Sequence, residues 1–291
     1  MLSTTHRNSS VSDFITCPAK YYLNWIRKLE PTEKNINLEF GSSIHLGAET
    51  FFKLVKAGAD PKADTTKQEV VRKFIDDFTN KDFEHHVSKN VVVGNALLVD
   101  MFDKYYDLKA KNILAVEEKF EKRIKGYTYT GKIDLLLLER GRKTITDHKT
   151  AGRLTAQLAS KWQLARQFLG YKWLTDAEDV KVNLFHCIKG NGSTAFPMIY
   201  QIPLLFSDFK QEKWEHQTFM VLEEIEERIR GFKSHLANPR FSYIPDMLFP
   251  RLGTMCNIYG CEFESICSQD LPITEVMAPI GLFQERKNDG Y

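Results

Sequence analysis

The stretch that decides the fold runs Gly131-Lys132-Ile133-Asp134-Leu135-Leu136-Leu137-Leu138, through a short turn at Arg140-Gly141-Arg142, into Lys143-Thr144-Ile145-Thr146-Asp147-His148-Lys149-Thr150. Two apolar runs about a glycine-containing turn predict an antiparallel hairpin. With a two-residue loop Glu139 faces Arg142, and with a four-residue loop Leu138 faces Lys143; both registers set Asp134 opposite Asp147. Side chains directly opposed on one face have Cβ atoms about 4.5–5.5 Å apart, and like charges there repel, so the pair calls for a cation between them. Strand alternation places Lys149 on the face of Asp147 and turns His148 away. Phosphodiester hydrolysis by two metal ions needs bridging carboxylates, an oxygen shell completed by a backbone carbonyl, and a cation near the developing charge. Asp134, Asp147, the His148 carbonyl and Lys149 supply that inventory. The burial of Asp134 inside the run Ile133 to Leu138 strengthens the reading, because an unpaired carboxylate there is costly.

Working outward, residues 154–175 predict a helix on which Gln163, Gln167 and Tyr171, spaced by four, form one polar stripe suited to orienting a phosphate backbone or an active-site side chain. Upstream, a helix beginning near Gly41-Ser42-Ser43 and ending at Gly58 buries Ile44, Ala48, Phe51 and Val55, with His45 and Glu49 on the neighbouring stripe. Residues 11–30 read as one helix capped by Ser12 or Asp13 and stopped by Pro31. Two further helical patterns occupy 65–110, a strand begins at Ile113, a second strand pair spans 180–188 and 196–205 about Gly190-Asn191-Gly192-Ser193, and a long helix covers 209–236. The last fifty residues are rich in loops.

The 291-residue chain can bury a full core, and its net charge of +2 gives no overall nucleic-acid signal. Any DNA contact must therefore come from local clusters such as Lys119, Lys122, Arg123 and Lys125, or Arg140, Arg142 and Lys143. No run approaches the roughly 18 apolar residues of a membrane span, and the N-terminus lacks the apolar core of a signal peptide, so an intracellular, cytoplasmic protein with no membrane partner is expected.

Of five cysteines, Cys256, Cys261 and Cys267 stand at C-x4-C-x5-C. In a reducing compartment such thiols serve metal ligation or inert burial, and a soft-ligand site wants a fourth. Cys17 or Cys187 is available; Cys17, followed by Pro18 in a polar and aromatic segment, is the better placed in kind. Spacing alone does not separate zinc from an iron–sulfur cluster.

Taken in order, these elements resemble the RecB-like branch of the PD-(D/E)XK nuclease superfamily that carries an iron–sulfur cluster, the group of AddB-type nuclease domains, exonuclease V and the CRISPR-associated RecB-like exonucleases. The matching positions are Ser12 through Tyr22 with Cys17-Pro18, Gly41 through His45, Glu117, Gly131 through Asp134, Asp147-His148-Lys149, Gln167 through Tyr171, and the three C-terminal cysteines. Four residues lie between Cys256 and Cys261 where the family usually has two.

The resemblance implies an α/β fold: a restriction-endonuclease-like core with a mixed central sheet flanked by helices, plus helical N-terminal and insert segments. It implies a single nuclease domain over 1–291, with helices in 11–112, a catalytic core in 113–236, and a cysteine-rich segment 237–291 closing onto Cys17. The implied activity is metal-dependent DNA exonuclease action, with Mg²⁺ or Mn²⁺ held by His45, Asp134, Asp147 and the His148 carbonyl. Lys149 would activate water, and Gln167 and Tyr171 would position DNA or the lysine. Cys17, Cys256, Cys261 and Cys267 would hold a structural 4Fe–4S cluster, with zinc as the alternative. Single-stranded DNA is the favoured substrate, since a strand must thread into a covered site lined with stacking aromatics. Repair, recombination or phage DNA processing in a prokaryotic or phage setting fits this reading. The rivals are a nuclease trimming CRISPR spacer precursors, and a non-catalytic DNA-binding or assembly subunit. The chain has no G-x-x-x-x-G-K-[ST] loop, so any helicase motor is a partner's.

Overall fold

The computed structural model describes residues 5–33, 35–81, 89–187, 197–239, 241, 243–253, 256, 261–269, 271–279 and 281–286. In chain order its elements begin with β1 (Thr5–Arg7), α1 (Asn8–Thr16), α2 (Pro18–Tyr21) continued by a π turn over Tyr22–Ile26, and β2 (Leu29–Pro31). Three helices follow, α3 (Ile36–Lys56), α4 (Asp64–Thr79) and α5 (Val91–Lys104). Next come β3 (Ile113–Ile124), β4 (Tyr127–Glu139), β5 (Arg142–Ala151), α6 (Ala156–Leu164), α7 (Arg166–Thr175), β6 (Asp179–His186) and β7 (Met198–Leu204). The chain then forms α8 (Asp208–Ala237), α9 (Ile244–Leu248), α10 (Glu264–Cys267) and β8 (Phe283–Glu285). This is the expected mixed α/β architecture. It divides into one unit of residues 1–34, 121–130 and 212–291, and another of 35–120 and 131–211.

The second unit is built on the hairpin. Arg140 and Gly141 both take positive φ, 51° and 81°, so the loop has the two left-handed residues of a type I′ turn. Glu139 accordingly pairs with Arg142, and the ladder runs to Leu135 and Thr146. β5 lies parallel to β6 from Thr144–Asp179 to Ala151–His186, with α6 and α7 in the crossover, and β6 pairs antiparallel with β7. The sheet is mixed for that reason. The turn Gly190-Asn191-Gly192-Ser193 lies outside the described residues.

The sheet carries a core on each face. Leu135, Leu137 and Phe185 pack with Phe40, Phe51, Phe52, Phe74 and Met101 of α3, α4 and α5. Ile133, Leu136, Ile145 and Val182 pack with Trp162, Phe168 and Tyr171 of α6 and α7. Strict alternation would put Ile133 and Leu135 on one face, so the strand changes phase at Asp134.

Two helices differ from the sequence expectation in ways that matter for the site. α3 begins at Ile36 rather than near Gly41, because Asn35 caps it by accepting the Asn37 N–H. Gly41 instead sits inside the helix, where a Cβ would come within 3.1 Å of Thr150 Oγ1, so its bareness lets α3 approach β5. The helix expected over 154–175 breaks at Ala165, which is extended at φ −69° and ψ 123°. The break takes Gln163 off the polar stripe: its side chain bonds the backbone N–H and carbonyl of Leu205.

In the first unit the helix expected over 11–30 is interrupted at Cys17, whose backbone is extended. Pro18 imposes this, because its ring bars the preceding residue from helical ψ. Tyr22, Phe232 and Phe249 form an aromatic core with centroid separations of 5.1–5.9 Å. β1 runs parallel to the start of β4, and β2 pairs antiparallel with β8.

Candidate active site

Asp134 occupies the phase change in β4, one residue beyond the last bridge pair, and its Oδ2 accepts the backbone N–H of His148 at 2.8 Å. The carboxylate replaces the carbonyl a regular ladder would offer. An acid within an apolar run is thereby satisfied by backbone.

α3 supplies His45. Its Nε2 lies 2.8 Å from the His148 carbonyl, and a carbonyl only accepts, so Nε2 carries the hydrogen. The other nitrogen, Nδ1, lies 3.6 Å from Asp134 Oδ2 and 4.0 Å from Glu117 Oε1. An imidazole that donates one N–H to a backbone carbonyl and offers its second nitrogen is the arrangement of a metal ligand. The ligand atoms of His45, Glu117 and Asp134 all lie within 4.8 Å of one another.

Glu117 is brought there by backbone strain. It has φ 49°, in the left-handed region, and on either side of it the burial alternation of β3 fails: Ala115 and Val116 are both buried before it, and Glu118 and Lys119 are both exposed after it. Holding a non-glycine residue so costs on the order of 1–3 kcal/mol and concentrates at functional positions. Burial, and then repulsion from Asp134, push its carboxyl up from the ordinary range, against the pull of Lys132, whose Nζ is 2.6 Å from Oε2. Two crowded acids and an imidazole nitrogen form an oxygen and nitrogen donor set that fits a divalent cation. The resemblance matched Glu117 to the family without giving it a role; strand periodicity does not choose between Glu117 and Glu118, and the left-handed kink shows why it is Glu117 that faces His45.

Asp147 stands on the other side, 1 % exposed, with Lys149 Nζ 2.6 Å from its Oδ2 and Gln167 Nε2 3.3 Å from its Oδ1. Burial pushes the Asp147 carboxyl up, a cost that the adjacent ammonium offsets. For Lys149, burial acts downward, but Asp147 and Asp134 together outweigh it and hold the amine above its usual value. Gln167 also donates to the Tyr171 hydroxyl at 2.7 Å, one helical turn on. Gln167 and Tyr171 thus form a chain of contacts to Asp147, while Gln163 bonds Leu205 instead.

As alternation predicts, the His148 ring faces away. It stacks on Phe52 at 5.7 Å and lies 3.4 Å from Asn183 Nδ2, and burial pushes its pKa down to about 3. The His148 carbonyl is engaged with His45. A cavity of about 720 Å³ opens over the site, lined by His45, Glu49, Glu117, Lys132, His148 and Lys149 among others.

The cysteines divide by location. Cys17, Cys256, Cys261 and Cys267 line one cavity of about 100 Å³ in the first unit, all as free thiols. Burial pushes the Cys267 thiol up to about 11. Cys187 is fully buried in the core beneath α3 to α5, where burial likewise pushes its thiol up to about 11.

Glu117→Gln tests the donor set. Because its folded pKa is raised, the stabilising contribution of Glu117 is present below its unfolded value near 4.5 and is lost as pH rises through the folded value. At neutral pH without metal the variant is expected to melt higher than the parent, the difference vanishing below pH 4.5. A cation at a hundredfold excess over Kd adds about 2.7 kcal/mol; melts with Mn²⁺ should show that gain in the parent and not in the variant.

The PD-(D/E)XK nuclease superfamily model matches residues 8–268. No curated protein matches the chain. Among solved structures, a candidate exonuclease from Eubacterium rectale aligns at 13 % identity and TM-score 0.41 over 74 % of this chain and 77 % of its own. The crystal structure of SSO0001 aligns at 9 % identity and TM-score 0.29 over 73 % of this chain and 84 % of its own. The family match extends from α1 to the end of α10 and takes in every group just described, and the chain belongs to the PD-(D/E)XK nuclease superfamily, hydrolases that use divalent metal ions.

Proposed function

We propose that this nuclease is a Mg²⁺- or Mn²⁺-dependent DNA exonuclease acting on single-stranded ends in repair, recombination or phage DNA processing. The observation that carries the reading is the convergence of His45, Glu117 and Asp134 within 4.8 Å of one another, beside a cavity of about 720 Å³ that His45, Glu117 and Lys149 line. His45, Glu117 and Asp134 would hold the cation, with Asp147 completing the acidic set. The chemistry such an ion supplies is neutralisation of phosphate charge and acidification of water.

The chain's own groups do the rest. Lys149, kept as an ammonium by Asp147 and Asp134, donates to the water or to the oxygen that gains charge, so its role is donor rather than resting base. Gln167 orients Asp147, and Tyr171 orients Gln167. His148 contributes its backbone: the N–H holds Asp134 and the carbonyl holds the His45 tautomer. A cleft walled by α3 suits a strand end better than a continuous duplex.

The four-thiol cavity is proposed to hold a 4Fe–4S cluster that ties the segment 237–291 to Cys17, the whole chain serving one nuclease activity. A single tetrahedral zinc with Zn–S near 2.3 Å sets its sulfurs ~3.8 Å apart. The test of the activity is a time course on 5′- and 3′-labelled single- and double-stranded DNA with Mg²⁺, Mn²⁺ or EDTA. Metal-dependent release of short products from single strands is expected. Cleavage confined to internal sites, or persisting in EDTA, would overturn it.

A further inference from the structure

Two cations line the cysteine cavity, Lys20 and Arg251. Lys20 is engaged by carboxylates, 3.2 Å from Asp13 and 3.4 Å from Glu262. Arg251 is held differently. Its terminal nitrogens donate to the backbone carbonyls of Gln269 at 3.1 Å and Leu271 at 2.5 Å, and one lies 3.5 Å from Asp246. These contacts set the plane of the guanidinium. Its remaining nitrogen, Nε, is buried and finds no acceptor among the described residues.

A buried donor left without an acceptor costs about 1–3 kcal/mol, and a guanidinium is seldom built that way unless an acceptor arrives with a ligand. The cavity's chemistry supplies the acceptor. Four thiolates around a metal centre carry net negative charge, and sulfur in such groups accepts N–H donors that tune stability and potential. After burial, Arg251 is the strongest influence on Cys267, so its charge is close to the sulfur it would serve.

We propose that Arg251 is the positioning residue of the cysteine-held group: its Nε–H donates to a thiolate or sulfide sulfur, and its charge offsets that of the group. This rests on the 4Fe–4S reading above. Removing donor and charge disfavours the reduced, more negative cluster, so the reduction potential must move in the negative direction. It also leaves the cluster more open to loss.

The experiment uses the full chain purified without oxygen, as parent, Arg251→Lys and Arg251→Gln. Iron content, dithionite titration followed by electron paramagnetic resonance, and the rate of iron loss to a chelator are compared. Arg251→Gln is expected to shift the potential negative and release iron faster, and Arg251→Lys, which keeps the charge but not the fork, to do so by less. Parent protein labelled with ¹⁵N-arginine gives a measurement that needs no variant: the reduced cluster should show a ¹⁵N coupling. Brown protein with no ¹⁵N coupling and unchanged potentials overturns the role of Arg251 while leaving the cluster standing. A colourless parent with stoichiometric zinc overturns the cluster and this inference together.

Discussion

Asp134→Asn is expected to reduce divalent-metal-dependent DNA cleavage by about 10³-fold, the cost typical of removing a preorganised electrostatic group, while leaving the fold intact. The amide keeps the size of the carboxylate and an oxygen for the His148 N–H, so the hairpin end survives. It loses the charge that faces His45 and Glu117. That loss relieves Glu117, for which Asp134 is the largest upward influence after burial. The cation-free variant should therefore melt no lower than the parent at neutral pH, even as Mn²⁺ affinity falls. Lys149→Ala makes the complementary case. It removes the donor but no proposed ligand, so cleavage should fall about 10²–10⁴-fold while Mn²⁺ binding remains measurable. It also strands Asp147, 1 % exposed, without its ammonium, so this variant should lose stability where Asp134→Asn does not. Calorimetric Mn²⁺ titration beside initial rates on labelled single strands separates the two roles. Undiminished cleavage in both would remove the site from the hairpin.

Cys17→Ser is expected to release the cysteine-held metal and open the C-terminal segment. Structural metal in a tetrathiolate site is worth roughly 10–16 kcal/mol, so losing one of four ligands costs a few kcal/mol from a fold whose whole stability is about 5–15 kcal/mol. Cys17 is tied to the segment directly, with the Ala19 N–H bonded to the Pro250 carbonyl at 3.3 Å and the Cys17 thiol 3.9 Å from the same oxygen. Limited proteolysis should cut within 239–291 in Cys17→Ser and spare the parent. Cys187→Ser is the control: its thiol lies in the sheet's core, so the variant should keep its metal. Equal metal content in Cys17→Ser and the parent would remove Cys17 from the ligand set.

Much of the site was legible in the chain because its signals are local. The two apolar runs with Arg140-Gly141 between them determine the hairpin and the register Glu139–Arg142, but the ladder ends at Leu135–Thr146, one step short of the expected Asp134–Asp147 pair. Alternation alone predicts that Lys149 meets Asp147 and that the His148 ring faces away, and both occur. Spacing by four predicts the Gln167–Tyr171 contact for the same reason. Each of these follows from the repeat of one strand or one helix.

What the sequence by itself could not determine depends on groups far apart in the chain competing for one another. The left-handed turn at Glu117 violates strand alternation, so no periodic reading selects it over Glu118; only His45 from α3, Asp134 from β4 and Lys132 give the strained carboxylate its partners. The helix break at Ala165 carries no proline or glycine signal, and it is accompanied by Gln163 bonding to Leu205, 42 positions away. The sequence determined the hairpin and the contact of Lys149 with Asp147, because backbone repeat and turn chemistry act over a few residues. The tertiary structure decided which acids share the histidine and which nitrogen of His45 is offered, because a buried charge or N–H takes whatever partner packing brings within about 3 Å.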